Sequence, residues 1–457
     1  MTPSPIRPPS FWLDQLADSL VPRPPLEGEQ TADVAIVGAG YTGLWTAYYL
    51  AAGDPSLRIA VVESDIAGFG AAGRNGGWCT PHHAGIETWM RGPKREGALA
   101  LQRAMFDAVD EVGRVATAES IACDYAKGGF LAVVLNEREA VRMREMLAEW
   151  QRRGFGEDDF RWLDRRACDE RVRVAGSLGG FYSPHGAAVQ PAKLARGLAD
   201  AIERRGVAIY ESSPAREVNA GEVVTERGRL RARKVLLCTE GYSQHLDPDR
   251  RLLPFHSMMI ATAPLSDAQW REIGCADRVV FGDARRILSY AQRTADGRLA
   301  LGAGGLYLYG SVARRYFPPT GPEFEAAERT LASFFPQLRD VEITHRWGGA
   351  FGMPRDSRPF VRFDAQTGIG AAGGYVGNGV AAANLAGRTL ADLFSGRDTE
   401  RTHLPGVQHR SPSWEPEPLR WLGATVTLAI GAAADRRESR GRSAGFFGRI
   451  FDAMSGH

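Results

Sequence analysis

Asp33-Val-Ala-Ile-Val37 followed by Gly38-Ala39-Gly40-Tyr41-Thr42-Gly43 is the stretch on which the fold turns. A short apolar run ends in a glycine turn, and Leu44, Ala47, Tyr48 and Ala51 then recur at helical spacing. A second apolar run, Arg58-Ile-Ala-Val-Val62, closes on an acid, Glu63, with Ser64 beside it. Strand, turn, helix and strand in that order make a βαβ unit. The three glycines serve different ends. Gly38 makes a tight turn, Gly40 allows close approach of a pyrophosphate, and Gly43 lets the helix pack on the strand. The start of the helix offers free N–H groups and the positive end of its dipole to phosphates. Glu63, at the tip of the second strand, is placed to accept hydrogen bonds from a ribose.

This unit predicts a dinucleotide site without choosing the dinucleotide. Five glycines punctuate Ile66-Ala-Gly-Phe-Gly70-Ala71-Ala-Gly73-Arg74-Asn75-Gly76-Gly77-Trp78, a backbone suited to lie against a large, flat, extended ligand. Arg74 is expected to neutralise phosphate charge and Asn75 to hydrogen-bond it. Two further glycine turns lie downstream, Cys238-Thr239-Glu240-Gly241 and Gly373-Gly374-Tyr375-Val376-Gly377-Asn378-Gly379-Val380, the latter opening a helix. A helix N-terminus there would stabilise negative charge on a ligand beside it.

Taken together, these blocks resemble the FAD-dependent oxidoreductases of the D-amino acid oxidase superfamily, and within it the branch of gamma-glutamylputrescine oxidase-like amine oxidases. The resemblance runs over most of the chain. That branch typically carries serine where this chain has Ala72, which puts one hydroxyl contact to a phosphate in doubt. The stretch 179–211 resembles the family's return into its FAD-binding domain, and Ala215 stands where the family meets the adenine. The resemblance implies FAD as cofactor, contacted by Gly38, Gly40, Tyr41, Thr42, Gly43, Glu63, Ser64, Gly70, Ala71, Arg74, Asn75, Gly76, Gly77, Trp78, Ala215, Thr239, Gly241, Gly374, Tyr375, Gly377, Asn378, Gly379 and Val380. It also implies oxidation of a primary or secondary amine or amino acid to an imine that hydrolyses, with oxygen or another electron acceptor taking the electrons. Oxidation of a hydroxy acid or alcohol, and a non-catalytic or RNA-modifying flavoprotein, remain as alternatives on the same fold.

The fold class expected is α/β: a discontinuous Rossmann-type FAD-binding domain with a second, mixed-sheet substrate domain. The segments divide as an N-terminal arm (1–30), FAD-binding (31–90, 181–250, 345–400), substrate (91–180, 251–344), and a C-terminal helical extension and tail (401–457). Proline-rich and irregular, the arm has Phe11, Trp12, Leu13 and Leu16 available to dock one helical turn onto the body. Helices are predicted over 97–119, 137–153, 191–205, 380–394 and 419–438. The arginine-rich tail beyond is expected to lack fixed structure.

Substrate-facing candidates are His256, Tyr290 and Trp347, followed by Trp78, His82, Met258 and Met353, with Arg346, Arg355 and Arg358 as possible carboxylate forks. His256 and Met258, two apart on a strand, share a face. Cys79, next to Trp78, is weighed as a covalent flavin anchor and set aside, since a buried thiol is usually inert.

Lys94, Lys127, Lys193 and Lys234 are the only lysines. Any cation that helps oxygen accept electrons near the flavin-side loop would then be one of the first three folding back, an arginine, or a protonated histidine such as His256.

Composition excludes several other classes. Fifty-six basic residues against 54 acidic ones leave a formal charge of +2, which offers nucleic acid little attraction. Five scattered cysteines without a CxxC argue against a disulfide framework or a zinc site. No apolar run reaches bilayer length, residues 422–434 coming nearest, so no membrane partner is expected. Nor does a basic stretch precede an apolar core at the N-terminus, and the expected location is the cytoplasm. Oligomeric state is left open.

Overall fold

In the computed structural model, which describes residues 8–17, 20–246 and 249–455, the quoted stretch forms the centre of a sheet. The Gly28–Val37 strand lies between Ile59–Val62 and Gly228–Leu237, parallel to both. Ala208–Tyr210 and Ile369–Gly373 extend the parallel set on either side, and Phe360–Asp364 closes one edge antiparallel. The unbroken apolar runs at 34–37 and Ile59–Val62 follow from burial on both faces, whereas Gly228–Leu237 alternates with arginines over its first half. The helices Tyr41–Gly53 and Gly379–Phe394 pack side by side on one of those faces, with Arg95–Ala118 beyond them.

A second sheet runs Ile343–Pro354, Leu252–Thr262, Leu299–Tyr307, Ser289–Arg293, Val280–Asp283, Phe130–Val134, Gly179–Ser183, Arg161–Asp164. It is antiparallel apart from the pairing of Val280–Asp283 with Phe130–Val134. One face is covered by the Glu325–Phe334 helix over a core of Leu131, Met258, Ile260, Phe281 and Leu301. The other looks toward the parallel sheet.

Two segment boundaries shift. Ile343–Pro354 is a continuous strand of the second sheet, so the dinucleotide-side segment begins after Pro354 rather than at 345. Gly348-Gly349 lies inside that strand and makes no turn after Trp347. The Arg95–Ala118 helix packs in the core of the first sheet rather than with the substrate domain, because its apolar stripe (Leu101, Met105, Val109, Val112) finds the Tyr41–Gly53 and Gly379–Phe394 helices.

The N-terminal arm does form one helical turn, Phe11–Asp14, capped by Ser10. The C-terminal helix runs Leu419–Glu438 as expected. The tail departs from expectation: Gly445–Ser455 is a second helix, whose Phe451 packs where a Cβ on Gly431 would stand. Among the described residues no helix is long and apolar enough to cross a membrane.

Candidate cofactor and active site

The glycine turn after the central strand sorts its residues by what surrounds them. A Cβ on Gly43 would lie 2.0 Å from the Gly38 carbonyl oxygen, so this glycine is required by helix-on-strand packing. A Cβ on Gly40 would meet nothing within 4 Å: its backbone faces open space at the carboxyl edge of the parallel sheet. Gly377, in the turn before the Gly379–Phe394 helix, faces open space in the same way. The two turns are physically joined, since Thr42 Oγ1 and the Tyr375 hydroxyl lie 2.8 Å apart. Two helix N-termini therefore stand together at one sheet edge, each behind a glycine with room before it. This is a cradle for an extended anionic ligand.

Glu63 sits at the end of its strand as expected. Its Oε2 accepts the Ala39 N–H at 2.7 Å, and its Oε1 accepts from Asp65 N–H at 3.0 Å and Ser64 Oγ at 3.1 Å. Burial outweighs these donors and pushes its pKa up to about 7. The Ser213 N–H donates to the Glu63 carbonyl, bringing the Ala215 segment alongside. Thr239 Oγ1 pairs with Ser243 Oγ at 2.8 Å.

Arg74 and Asn75 depart from a simple phosphate role. Only 1 % exposed, Arg74 gives its Nε–H to Phe69 O (2.8 Å) and its Nη1 to Arg315 O (2.6 Å) and Gly348 O (3.2 Å). Among the described residues, only Nη2 of its three nitrogens has no protein partner. The guanidinium thus staples its own turn to the second sheet, with one nitrogen left for a ligand. Asn75 gives its amide N–H groups to Ala71 O and Ala72 O and accepts from Gly77 N–H, holding the loop's shape.

The second sheet meets this loop through a particular parity of residues. Tyr290 lies against Gly76, where a Cβ would be 2.7 Å from its ring, and its hydroxyl is hydrogen-bonded to Ser257. Burial pushes the Tyr290 phenol up to about 12, so it stays protonated. Gln292 donates to Gly76 O (2.7 Å) and Val189 O (3.1 Å), while Trp78 donates to Ala291 O (2.9 Å) and stands edge-on to Tyr290. Ser257, Tyr290 and Gln292 form the roof face, and neither Ser257 nor Gln292 is marked by any motif in the sequence. The only signal for Ser257 is its place between His256 and Met258.

His256 is a correction. Strand alternation turns it, with Met258, to the opposite face, toward Phe317 and the Glu325–Phe334 helix. Its Nε2 accepts the Arg314 N–H at 3.0 Å, and burial lowers its pKa to about 4. A nitrogen that accepts a hydrogen bond holds no proton, so His256 is not a cation at neutral pH.

Trp347 is likewise structural. It is 3 % exposed, packs edge-on to Trp12, and donates to Arg74 O at 2.9 Å. Met353 and Arg355 are covered by Trp414, and Arg346 pairs with Glu328. Arg358 lies over the Trp89 ring. Cys79 is fully buried and its thiol is pushed well up, which removes it as an anchor. All four lysines are engaged, with Pro405 O (Lys94), Asp110 (Lys127), Asp124 (Lys193) and Phe394 O (Lys234).

Known proteins are similar to this chain in sequence and in fold. The chain is 32% identical over 393 residues to gamma-glutamylputrescine oxidoreductase of Escherichia coli K12, covering 84% of this chain and 88% of that protein. It is 29% identical over 437 residues to the probable oxidoreductase OrdL of Rhizobium meliloti, covering 93% and 97%. Among solved structures, glycine oxidase from Geobacillus kaustophilus superposes with a TM-score of 0.68 at 20% identity, covering 81% of this chain and 96% of that one. L-amino acid deaminase from Proteus vulgaris gives 0.64 at 20%, covering 83% and 93%. Residues 33–393, from the first strand to the end of the helix behind the last glycine turn, match the DAO family of FAD dependent oxidoreductases, and the chain belongs to that family.

Proposed function

We propose that this flavoenzyme oxidises a primary or secondary amine, or an amino acid, at the carbon bearing nitrogen. The observation that carries the reading is the pairing of two glycine turns and helix N-termini at one sheet edge beneath a roof of Tyr290 and Ser257. The amine class draws on the relatives' names, which are those of amine and amino-acid oxidising enzymes. When bound, FAD supplies the two-electron acceptor. The substrate carbon loses two electrons and a proton and the nitrogen releases a second proton to solvent, so the C–N single bond becomes an imine, and water converts this to a carbonyl compound and a free amine or ammonia.

On this reading the chain's own residues bind, orient and exclude water. The Gly40 turn takes the pyrophosphate and Glu63 the ribose, which its acceptor oxygens and position support. Arg74 Nη2 is the one donor of its guanidinium left for the ligand. With the Asn378 N–H already given to Tyr375 O, the N–H groups of Gly377, Gly379 and Val380 would meet the flavin edge where negative charge collects. Tyr290, protonated throughout the physiological range, serves as a hydrogen-bond donor rather than a base.

An anaerobic screen of amines, amino acids, hydroxy acids and alcohols, following loss of flavin absorbance, tests the substrate class. Bleaching by an amine with release of ammonia or a shorter amine is expected. Bleaching by hydroxy acids or alcohols alone would overturn the proposal.

A further inference from the structure

Glu240 lies between the two sheets, outside any role yet assigned. Its Oε1 accepts the N–H groups of Gly374 and Tyr375, each at 3.0 Å. Its Oε2 accepts the N–H of Gly352, on the outermost long strand of the second sheet. Among the described residues it forms no ion pair, so backbone dipoles alone offset its charge. The backbone is also unusual: Glu240 is held at φ +47°, a left-handed conformation that side-chain-bearing residues seldom adopt. Strain of this kind persists only where the surroundings impose it, and it concentrates at functional sites. Gly352 completes the fit, because a Cβ there would lie 2.2 Å from the carboxylate oxygen.

We propose that Glu240 is a positioning residue for the flavin, locking the 374–380 turn and the start of the Gly379–Phe394 helix against the second sheet. The division of N–H groups supports this. Those of Gly374 and Tyr375 are consumed by the carboxylate, while the turn at Gly377 faces open space. The helix start is thereby aimed by a contact that also grips the roof, so cofactor turn and roof keep one relative placement. Burial pushes the group up to about 7 in spite of its N–H donors. The inference rests on the reading of the 377–380 turn as flavin-facing and is independent of which substrate is oxidised.

Sulfite is a suitable probe. Its sulfur lone pair bonds to flavin N5, and the electron pair moves to the N1–C2 carbonyl edge, where a well-placed helix start stabilises it. Glu240→Ala holoenzyme should keep its FAD but bind sulfite about tenfold more weakly, the effect of losing one hydrogen bond to a charged group. Glu240→Gln, which keeps an acceptor oxygen for the turn, should stay within about threefold of wild type. Wild-type affinity in Glu240→Ala, or equal loss in Ala and Gln variants, would overturn the proposal.

Gly377→Val serves as the control for the turn itself. If it too leaves sulfite affinity unchanged, the flavin-facing reading of the turn fails. If it changes affinity while Glu240→Ala does not, only the role of Glu240 fails. Hydrogen exchange on the wild-type holoenzyme needs no variant: the amides of Gly352, Gly374 and Tyr375 should exchange as slowly as sheet amides. Loop-like exchange at all three would also overturn the lock.

Discussion

Gly40 shows how much one missing side chain decides. Its backbone faces open space at the sheet edge, whereas the place of a Cβ on Gly43 is already filled by the Gly38 carbonyl. Gly40→Val would put a branched side chain into the pyrophosphate's place, and the purified variant should elute from gel filtration without FAD. Glu63→Ala removes hydrogen bonds only, and should weaken FAD binding by about 1.5–3 kcal/mol, measured by titration of the apoprotein. The charge on Glu63 adds a pH dependence. Its pKa in the folded apoprotein is about 7, above the ordinary carboxylate value, so the folded state holds the proton more tightly than the unfolded one. Its contribution to apoprotein stability is therefore fully present below the ordinary value and lost as pH rises to about 7. Ribose hydroxyls need the ionised acceptor, so FAD affinity should run the other way, rising with pH through 7 and levelling above it. Glu63→Gln should flatten that profile, and an unchanged slope in the variant would assign the titration elsewhere. His256 yields the complementary expectation. Lowered to about 4 and turned from the roof face, it should leave the pH profile of flavin reoxidation by oxygen unaltered in His256→Gln. A stopped-flow profile that loses a step near pH 6 in that variant would contradict its placement.

At the level of elements, the N-terminal turn is more than a tail. Phe11, Trp12 and Leu13 are buried, and they fill the space between the glycine-rich loop and the second sheet beside Met259 and Trp347. Trp12 donates to Asn75 O at 2.7 Å and receives Gln190 Nε2 on its carbonyl at 2.8 Å. Trp12→Ala should cost about 3–5 kcal/mol of stability by opening a cavity, seen as a lower Tm. Because the Asn75 carbonyl loses its Trp12 donor and the loop its packing partner, the same variant should release FAD faster than wild type at a temperature where both are folded. The helix after the last glycine turn is readable from its apolar spacing, and so is the Leu419–Glu438 helix. The Gly445–Ser455 helix is not. The arginines that lead into it suggest a solvated tail, while its fixing contact, Phe451 on Gly431, is a partnership that no local pattern reveals.

Across the whole molecule, the C-terminal extension braces one end of the second sheet, on the face that also carries Ser257. Trp414, Trp421 and Leu428 cover Leu253, Phe255 and Tyr307. Asp435 accepts the N–H groups of Arg286 and Ile287, and Glu438 pairs with Arg142 (2.8 Å) and Arg286 (2.9 Å). Glu438→Ala removes the carboxylate that Arg142 and Arg286 share, and a loss of about 1–3 kcal/mol in denaturant unfolding is expected with FAD content unchanged. The contacts link 142, 286 and 438, three places far apart in sequence, and none carries a motif.

The sequence by itself determined the parallel sheet, the dinucleotide turn and the family. The reason is that close backbone approach demands glycines at fixed offsets, and burial on two faces demands unbroken apolar strands. Both demands are local, so Gly38 to Gly43 and Glu63 declare them. Only the tertiary structure decided the roof. Ser257 and His256 are neighbours on one strand, and which of them faces the cofactor depends on how that strand pairs with Ile343–Pro354 and on which side the parallel sheet docks. The same holds for Glu240, a residue with no signature of its own. Its role exists only because Gly352 and Gly374, 22 positions apart, are brought to one carboxylate by two different sheets.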